Sequence, residues 1–225
     1  MVGTVLSLRD DTKNLRLGLH LADAEWHAGP VPSTFPFVEL APGVGYYQVM
    51  DELPGPGIPR VDSYLIYLVT LGAEFALPGD LRLIGEYGRR RFSNAKTGPD
   101  SHAAYVALLK RVGRWTPYVY LSGIRSSEPA LNLVDHLNRT RLPASIPGAD
   151  AVNTMQRVGA DLLSPYDQHT WAIGASYSLS PTSRIKCEWQ QVRTGRLSSF
   201  VDPPPDEDSG GRRINVFSLS YSLTF

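Results

Sequence analysis

The feature that most restricts what this chain can fold into is a two-residue alternation of apolar and polar side chains, repeated from one end to the other. It comes in segments of 9–15 residues, the length of a tilted membrane strand and longer than the strands usual in soluble sheets. The clearest segment is "INVFSLSYSLTF", 214–225, where Phe217, Leu219, Tyr221, Leu223 and Phe225 share one face and Ser218, Ser220, Ser222 and Thr224 the other. In "HTWAIGASYSL" the apolar side carries Trp171, Ile173 and Tyr177, and in "RIKCEWQQV" Ile185, Cys187 and Trp189 oppose Arg184, Lys186 and Glu188. Upstream, Leu15, Leu17, Leu19 and Leu21 alternate with Arg16 and His20, and Leu81, Leu83 and Tyr87 with Arg82, Glu86 and Arg90. The pattern predicts about nine strands: 2–9, 14–26, 61–77, 81–92, 102–112, 115–126, 167–179, 184–195 and 212–225. Strands 102–112 and 115–126 have two mixed faces, and their inward side is not assigned by the pattern.

Between these strands, short and long connections alternate strictly. "DDTK" (10–13), "PGD" (78–80), "GR" (113–114) and "SPTS" (180–183) have the Gly, Pro, Asp and Ser chemistry of tight hairpins. The others, about 27–60, 93–101, 127–166 and 196–211, are long and rich in Pro, Gly and charge. A soluble sandwich has no physical reason to put every long loop at one end, whereas a membrane barrel does. Closure also satisfies every backbone N–H and C=O within hydrocarbon, where an open edge costs several kcal/mol per group. The expected fold is therefore all-β, an antiparallel up-and-down transmembrane barrel in one domain, with the long loops extracellular. Trp26, Tyr64, Trp115, Trp171 and Phe225 fall near strand ends, as an interfacial aromatic girdle would.

Composition removes several classes. Twenty-two basic and 22 acidic residues cancel, so no global charge favours nucleic acid. A single cysteine, Cys187, excludes an internal disulfide and a cysteine-based zinc site. No window approaches the apolar length of a membrane helix. No G-x-S-x-G, H-E-x-x-H, P-loop or G-x-G-x-x-G signature is present, and the five histidines have no metal spacing, so neither an enzyme, a cofactor nor a metal is expected. The start, "MVGTVLSLRDDTKN", shows no secretory signal; with an odd strand count, this predicts that the chain is the C-terminal portion of a larger barrel of about 16 strands.

The ending "NVFSLSYSLTF" resembles the C-terminal strand signature of Gram-negative outer-membrane β-barrels, and "YDQHTWAIGASYSLSPTSRIKCEWQQVRTG" is similar to the penultimate hairpin of porin-like barrels. The resemblance covers roughly 166–225 and is architectural elsewhere. It implies an outer-membrane location, a porin-like channel that is often a trimer, and contact with bilayer and lipopolysaccharide. It also implies recognition of Phe217, Leu219, Tyr221, Leu223 and Phe225 by the insertion machinery. A non-channel adhesion or scaffold barrel, and a soluble all-β binding protein, are the alternatives.

A pore selects solutes through its wet face and any loop that folds inward. Arg16, His20, Glu74, Arg82, Glu86, Arg90, Arg184, Lys186 and Glu188 are the candidate pore-lining residues, because an Arg or Lys facing mid-bilayer lipid costs about 2–4 kcal/mol. Arg82, Arg90, Arg184 and Lys186 would draw anions; against that, Arg82 with Glu86 and Lys186 with Glu188 could be self-neutralised wall pairs. The 127–166 loop has helical periodicity and is the candidate constriction, supplying Asp135, Arg139, Arg141, Asp150, Arg157 and Asp161. The acidic "DPPPDED", 202–208, reads as a solvated loop tip.

Overall fold

The computed structural model describes residues 1–98, 100–199, 201 and 210–224. Its strands in chain order are β1 (Val2–Arg9), β2 (Lys13–Glu25), four short pieces β3 (Val31–Pro32), β4 (Phe37–Ala41), β5 (Val44–Tyr47) and β6 (Arg60–Val61), then β7 (Ser63–Leu77), β8 (Leu81–Phe92), β9 (Ser101–Lys110), β10 (Trp115–Ser126), β11 (Asp167–Ser178), β12 (Ser183–Thr194) and β13 (Arg213–Leu223). Two helices, α1 (Glu128–Arg139) and α2 (Ala149–Leu162), lie between β10 and β11. Neither is long and apolar enough to cross a membrane.

Nine strands form one antiparallel sheet in the order β1-β2-β7-β8-β9-β10-β11-β12-β13, so every chain neighbour among them is a sheet neighbour. The strands that the alternation predicts are those that form, within two residues at every end described. Tight hairpins close one end, where Gly79 (φ 78°) and Gly113 (φ 58°) supply the left-handed positions that a short turn needs. At the Asp10 turn, the carboxylate accepts the Thr12 and Lys13 amide N–H groups at 2.8 and 2.9 Å, replacing ladder bonds that the turn cannot make.

Register assigns the faces. Leu17, Leu71 and Tyr87 are level across β2, β7 and β8, as are Ile173 and Trp189 across β11 and β12. This face is apolar and open: Phe217, Leu219 and Tyr221 are 79%, 76% and 60% exposed. The inner face alternates with it. β9 and β10, whose sides the pattern left open, put Val106, Leu108, Val119 and Leu121 outward and Tyr105, Tyr118 and Tyr120 inward. In water, so large an apolar surface would collapse or associate; in a bilayer it is the solvated face.

The buried apolar side chains sit instead in the long connections. Phe35, Ile58, Leu131, Val134, Leu137, Ala160 and Leu197 form one cluster, and Tyr46, Leu53, Leu142 and Ala149 a second. Segments 26–62, 127–166 and 195–199 thus pack into a cap at one end of the sheet. Among the described residues, Ala172 and Val192 are the buried apolar side chains that belong to the nine-stranded sheet. β1 and β13 are its two edges.

Candidate functional site

All nine candidate pore-lining residues fall on the inner face, because register carries parity from strand to strand: Arg16 opposite Gly72 and Gly72 opposite Glu86, Glu188 opposite Gly174 and Gly174 opposite Tyr118. Arg9, Asn14, Tyr105, Tyr118, Tyr120 and Gln190 join them. On the strands of this face, six cations (Arg9, Arg16, Arg82, Arg90, Arg184, Lys186) meet three carboxylates (Glu74, Glu86, Glu188).

Two polar sectors stand out. In the first, Arg16 on β2 reaches Glu86 on β8 at 3.6 Å, across the whole width of β7. The strand between presents Gly72 at that level; a Cβ there would lie 3.7 Å from Glu86 Cγ and 3.8 Å from Arg16 Cβ, so anything larger than alanine would intrude. Beside this pair, Arg82 donates to Glu74, its Nε lying 3.1 Å from Oε1. The pairing of Arg82 with Glu86 expected from the sequence does not form. Four residues along a strand span about 14 Å, while Glu74 is the diagonal neighbour on β7. Arg16, Thr70, Glu86, Tyr105, Ser122 and Thr170 line an open concavity of about 630 Å³ on this wall.

In the second sector, Glu188 is buried and accepts from Tyr118 Oη at 2.6 Å, Tyr120 Oη at 3.4 Å and Lys186 Nζ at 2.9 Å. Tyr118 on β10 spans β11 to do so, and Gly174 makes room: a Cβ there would overlap the Tyr118 hydroxyl. Lys186 also sits 5.0 Å over the Tyr118 ring, and Tyr120 donates to Gln190 at 3.1 Å. The Lys186–Glu188 pair expected from the sequence is present. Arg184 is exposed and has no partner among the described residues; Arg90 touches Ser101 Oγ at 3.4 Å and lies 5.6 Å from the Phe92 ring centroid. Two cations expected to draw anions, Arg82 and Lys186, are thus neutralised locally. The two tyrosines and two glycines escaped the sequence reading; carrying parity through the β8–β9 and β9–β10 hairpins would have found the tyrosines.

The six candidate constriction residues lie in the cap. Asp135 pairs with Arg139 at 2.8 Å and with Arg196 at 3.2 Å. Arg141 donates to the carbonyls of Leu137 and Thr140 at 3.1 and 2.8 Å. Asp150 and Asp161 are exposed on α2, with Arg157 between them half-buried. These contacts hold the cap together, and none of those named reaches the inner wall. Phe225 and the acidic 202–208 stretch lie outside the described residues; Phe217, Leu219, Tyr221 and Leu223 are exposed on the outer face of β13.

No protein family matches the chain, and no curated protein does. Among solved structures it is similar to in-vitro folded OmpT, an outer membrane protein of Vibrio cholerae, with a TM-score of 0.50 and 10% identity over 97% of this chain and 53% of that one. The fold is that of an outer-membrane β-barrel. A trimer form of OmpT gives a TM-score of 0.49 at 11% identity (97% of this chain, 54% of that one), and its loop L8 deletion mutant 0.47 at 11% (97% and 51%). The chain spans about half the length of these structures.

Proposed function

We propose that this chain forms the wall of a porin-like channel in the outer membrane of a Gram-negative bacterium, passing small polar and charged solutes by passive diffusion and carrying out no catalysis. The observation that carries this reading is the sorting of charge by face across the middle of the sheet: every candidate lining residue is inward, while the outer face between the two strand ends presents Leu, Val, Ile and aromatic side chains, its charged residues standing toward those ends. A wet inner wall and a lipid-solvated outer one are what a pore requires. The surplus of cations over carboxylates on that wall favours anions. In the conducting form the edges β1 and β13 are paired, since unpaired backbone in hydrocarbon is too costly.

The test is conductance in planar bilayers of the chain refolded from detergent. The expected result is stepwise current, with a reversal potential in a KCl gradient displaced toward chloride and moved back toward neutrality by Arg184→Glu. A barrel that inserts stably and never gives steps would overturn the channel reading. That outcome would favour the second reading, a scaffold or adhesion barrel, which draws its support from the packed cap of loops.

A further inference from the structure

Conduction leaves a second charge pattern, on the opposite face, unused. Toward the long connections the outward positions turn from apolar to basic on β8, β9, β10, β12 and β13, while β11 carries His169 and then Asp167. Arg89 is level with His102, and His102 with Arg125; His169 is level with Arg193, and Arg193 with Arg213. Arg91 stands one outward position beyond Arg89. Arg125 is neutralised by Glu128 and by Asp167 at 3.9 Å, and Arg89 lies 3.3 Å from His102. Arg91, Arg193 and Arg213 are exposed, and none has an ion pair among the described residues.

Directly below this row the outer face carries aromatic rings in contact: Trp171 against Trp189 with centroids 4.7 Å apart, and Trp189 against Phe217 at 6.2 Å. On β12 and β13, Gln191 and Asn215, bonded to each other at 3.2 Å, lie between Trp189 and Phe217 and the arginines, with Trp171 level with Gln191. On β12 and β13 the order from the middle of the sheet outward is therefore apolar, aromatic, amide, cation. That is the polarity profile of a bilayer crossed from hydrocarbon to headgroup, and outward-facing arginines are tolerable only at its outer level. A guanidinium there has the planar fork that binds phosphate bidentately.

We propose that Arg91, Arg193 and Arg213, supported by Arg89, His102 and His169, form a lipid-facing arc that binds the phosphate groups of lipids packed around the long-connection end of the sheet. The proposal rests on the membrane placement in the preceding reading and not on conduction. The occupant is an anionic phospholipid or glycolipid headgroup whose acyl chains lie on the apolar rows below. A free phosphate would gain nothing from those rows.

The experiment titrates the full chain, refolded in dodecyl maltoside, with lipid A carrying two phosphates, with dephosphorylated lipid A and with inorganic phosphate, bound copies being counted by native mass spectrometry. Lipid A is expected to bind, and the triple variant Arg91→Gln, Arg193→Gln, Arg213→Gln to bind it at least about ten-fold more weakly, an exposed Arg near an anionic surface contributing about five-fold. Dephosphorylated lipid A should bind no better than lipid A binds the variant, millimolar phosphate should not compete, and Lys110→Gln at the short-turn end should leave affinity unchanged. Equal binding of lipid A by wild type and triple variant overturns the proposal, as does equal binding of the two lipids. Full competition by inorganic phosphate would overturn it too, marking a free-anion site, and so would loss of self-association rather than of lipid in the triple variant, marking an interface between copies. Conductance steps, measured separately, decide the pore reading without touching this one.

Discussion

Small residues decide the inner wall. Gly174 is where Tyr118 crosses β11 to reach Glu188, and Gly174→Ala should break that hydrogen bond and destabilise the sheet by about 1–3 kcal/mol, read as a lower denaturant midpoint. Tyr118→Phe, which removes the hydroxyl without crowding, should cost less. At the short-turn end, the amide N–H and hydroxyl of Thr12, with the Lys13 N–H, hold the Asp10 carboxyl down to about 2. A lowered carboxyl contributes stability fully present above its ordinary value of 3.8, and that contribution is lost as pH falls toward about 2. An NMR titration should place the Asp10 midpoint near 2, and Thr12→Val, which removes the hydroxyl donor, should raise it. The sequence showed which side chains share a face on seven of the nine long strands, since parity fixes that where one face is clearly apolar; on β9 and β10 both faces are mixed, and only pairing with their neighbours placed Tyr105, Tyr118 and Tyr120. The partners of the inner-wall charges were not legible, because Arg82–Glu74 and Arg16–Glu86 depend on cross-strand register and on what the strand between leaves open.

Elements divide into those that period reveals and those that tertiary packing makes. The nine long strands follow from alternation, and the tight turns from Gly, Pro and Asp. The cap does not: β3 to β6 are two to five residues long, too short for a period, and α1 buries Leu131 and Leu137 completely only because Phe35, Ile58 and Leu197 arrive from other connections. Helical periodicity in 127–166 was visible, but its destination was not. Asp135 and Arg139, candidates for a constriction, are tied to each other and to Arg196 within the cap. Leu131→Ala or Leu137→Ala should cost the cap about 2–5 kcal/mol. Because the buried cluster is separate from the sheet ladder, the loss should appear as faster proteolysis within 127–166 while strand amides keep their hydrogen-exchange protection.

For the whole molecule, the placement of apolar surface is inverted relative to a soluble domain: buried in the cap, exposed on the sheet. Cys187 gives a direct probe of that inversion, since it is exposed on the outer face of β12, opposite Ala175 on one neighbouring strand and Leu219 on the other. Ser220, on the same hairpin, faces inward beside Lys186. The deciding measurement is labelling by a membrane-impermeant maleimide of the chain reconstituted in lipid vesicles. Cys187 should stay unlabelled until the vesicles are dissolved in detergent, while Ser220→Cys in a Cys187→Ser background should react at once. Rapid labelling of Cys187 in intact vesicles, with protection at position 220, would contradict a lipid-facing outer wall around a water-filled inner one.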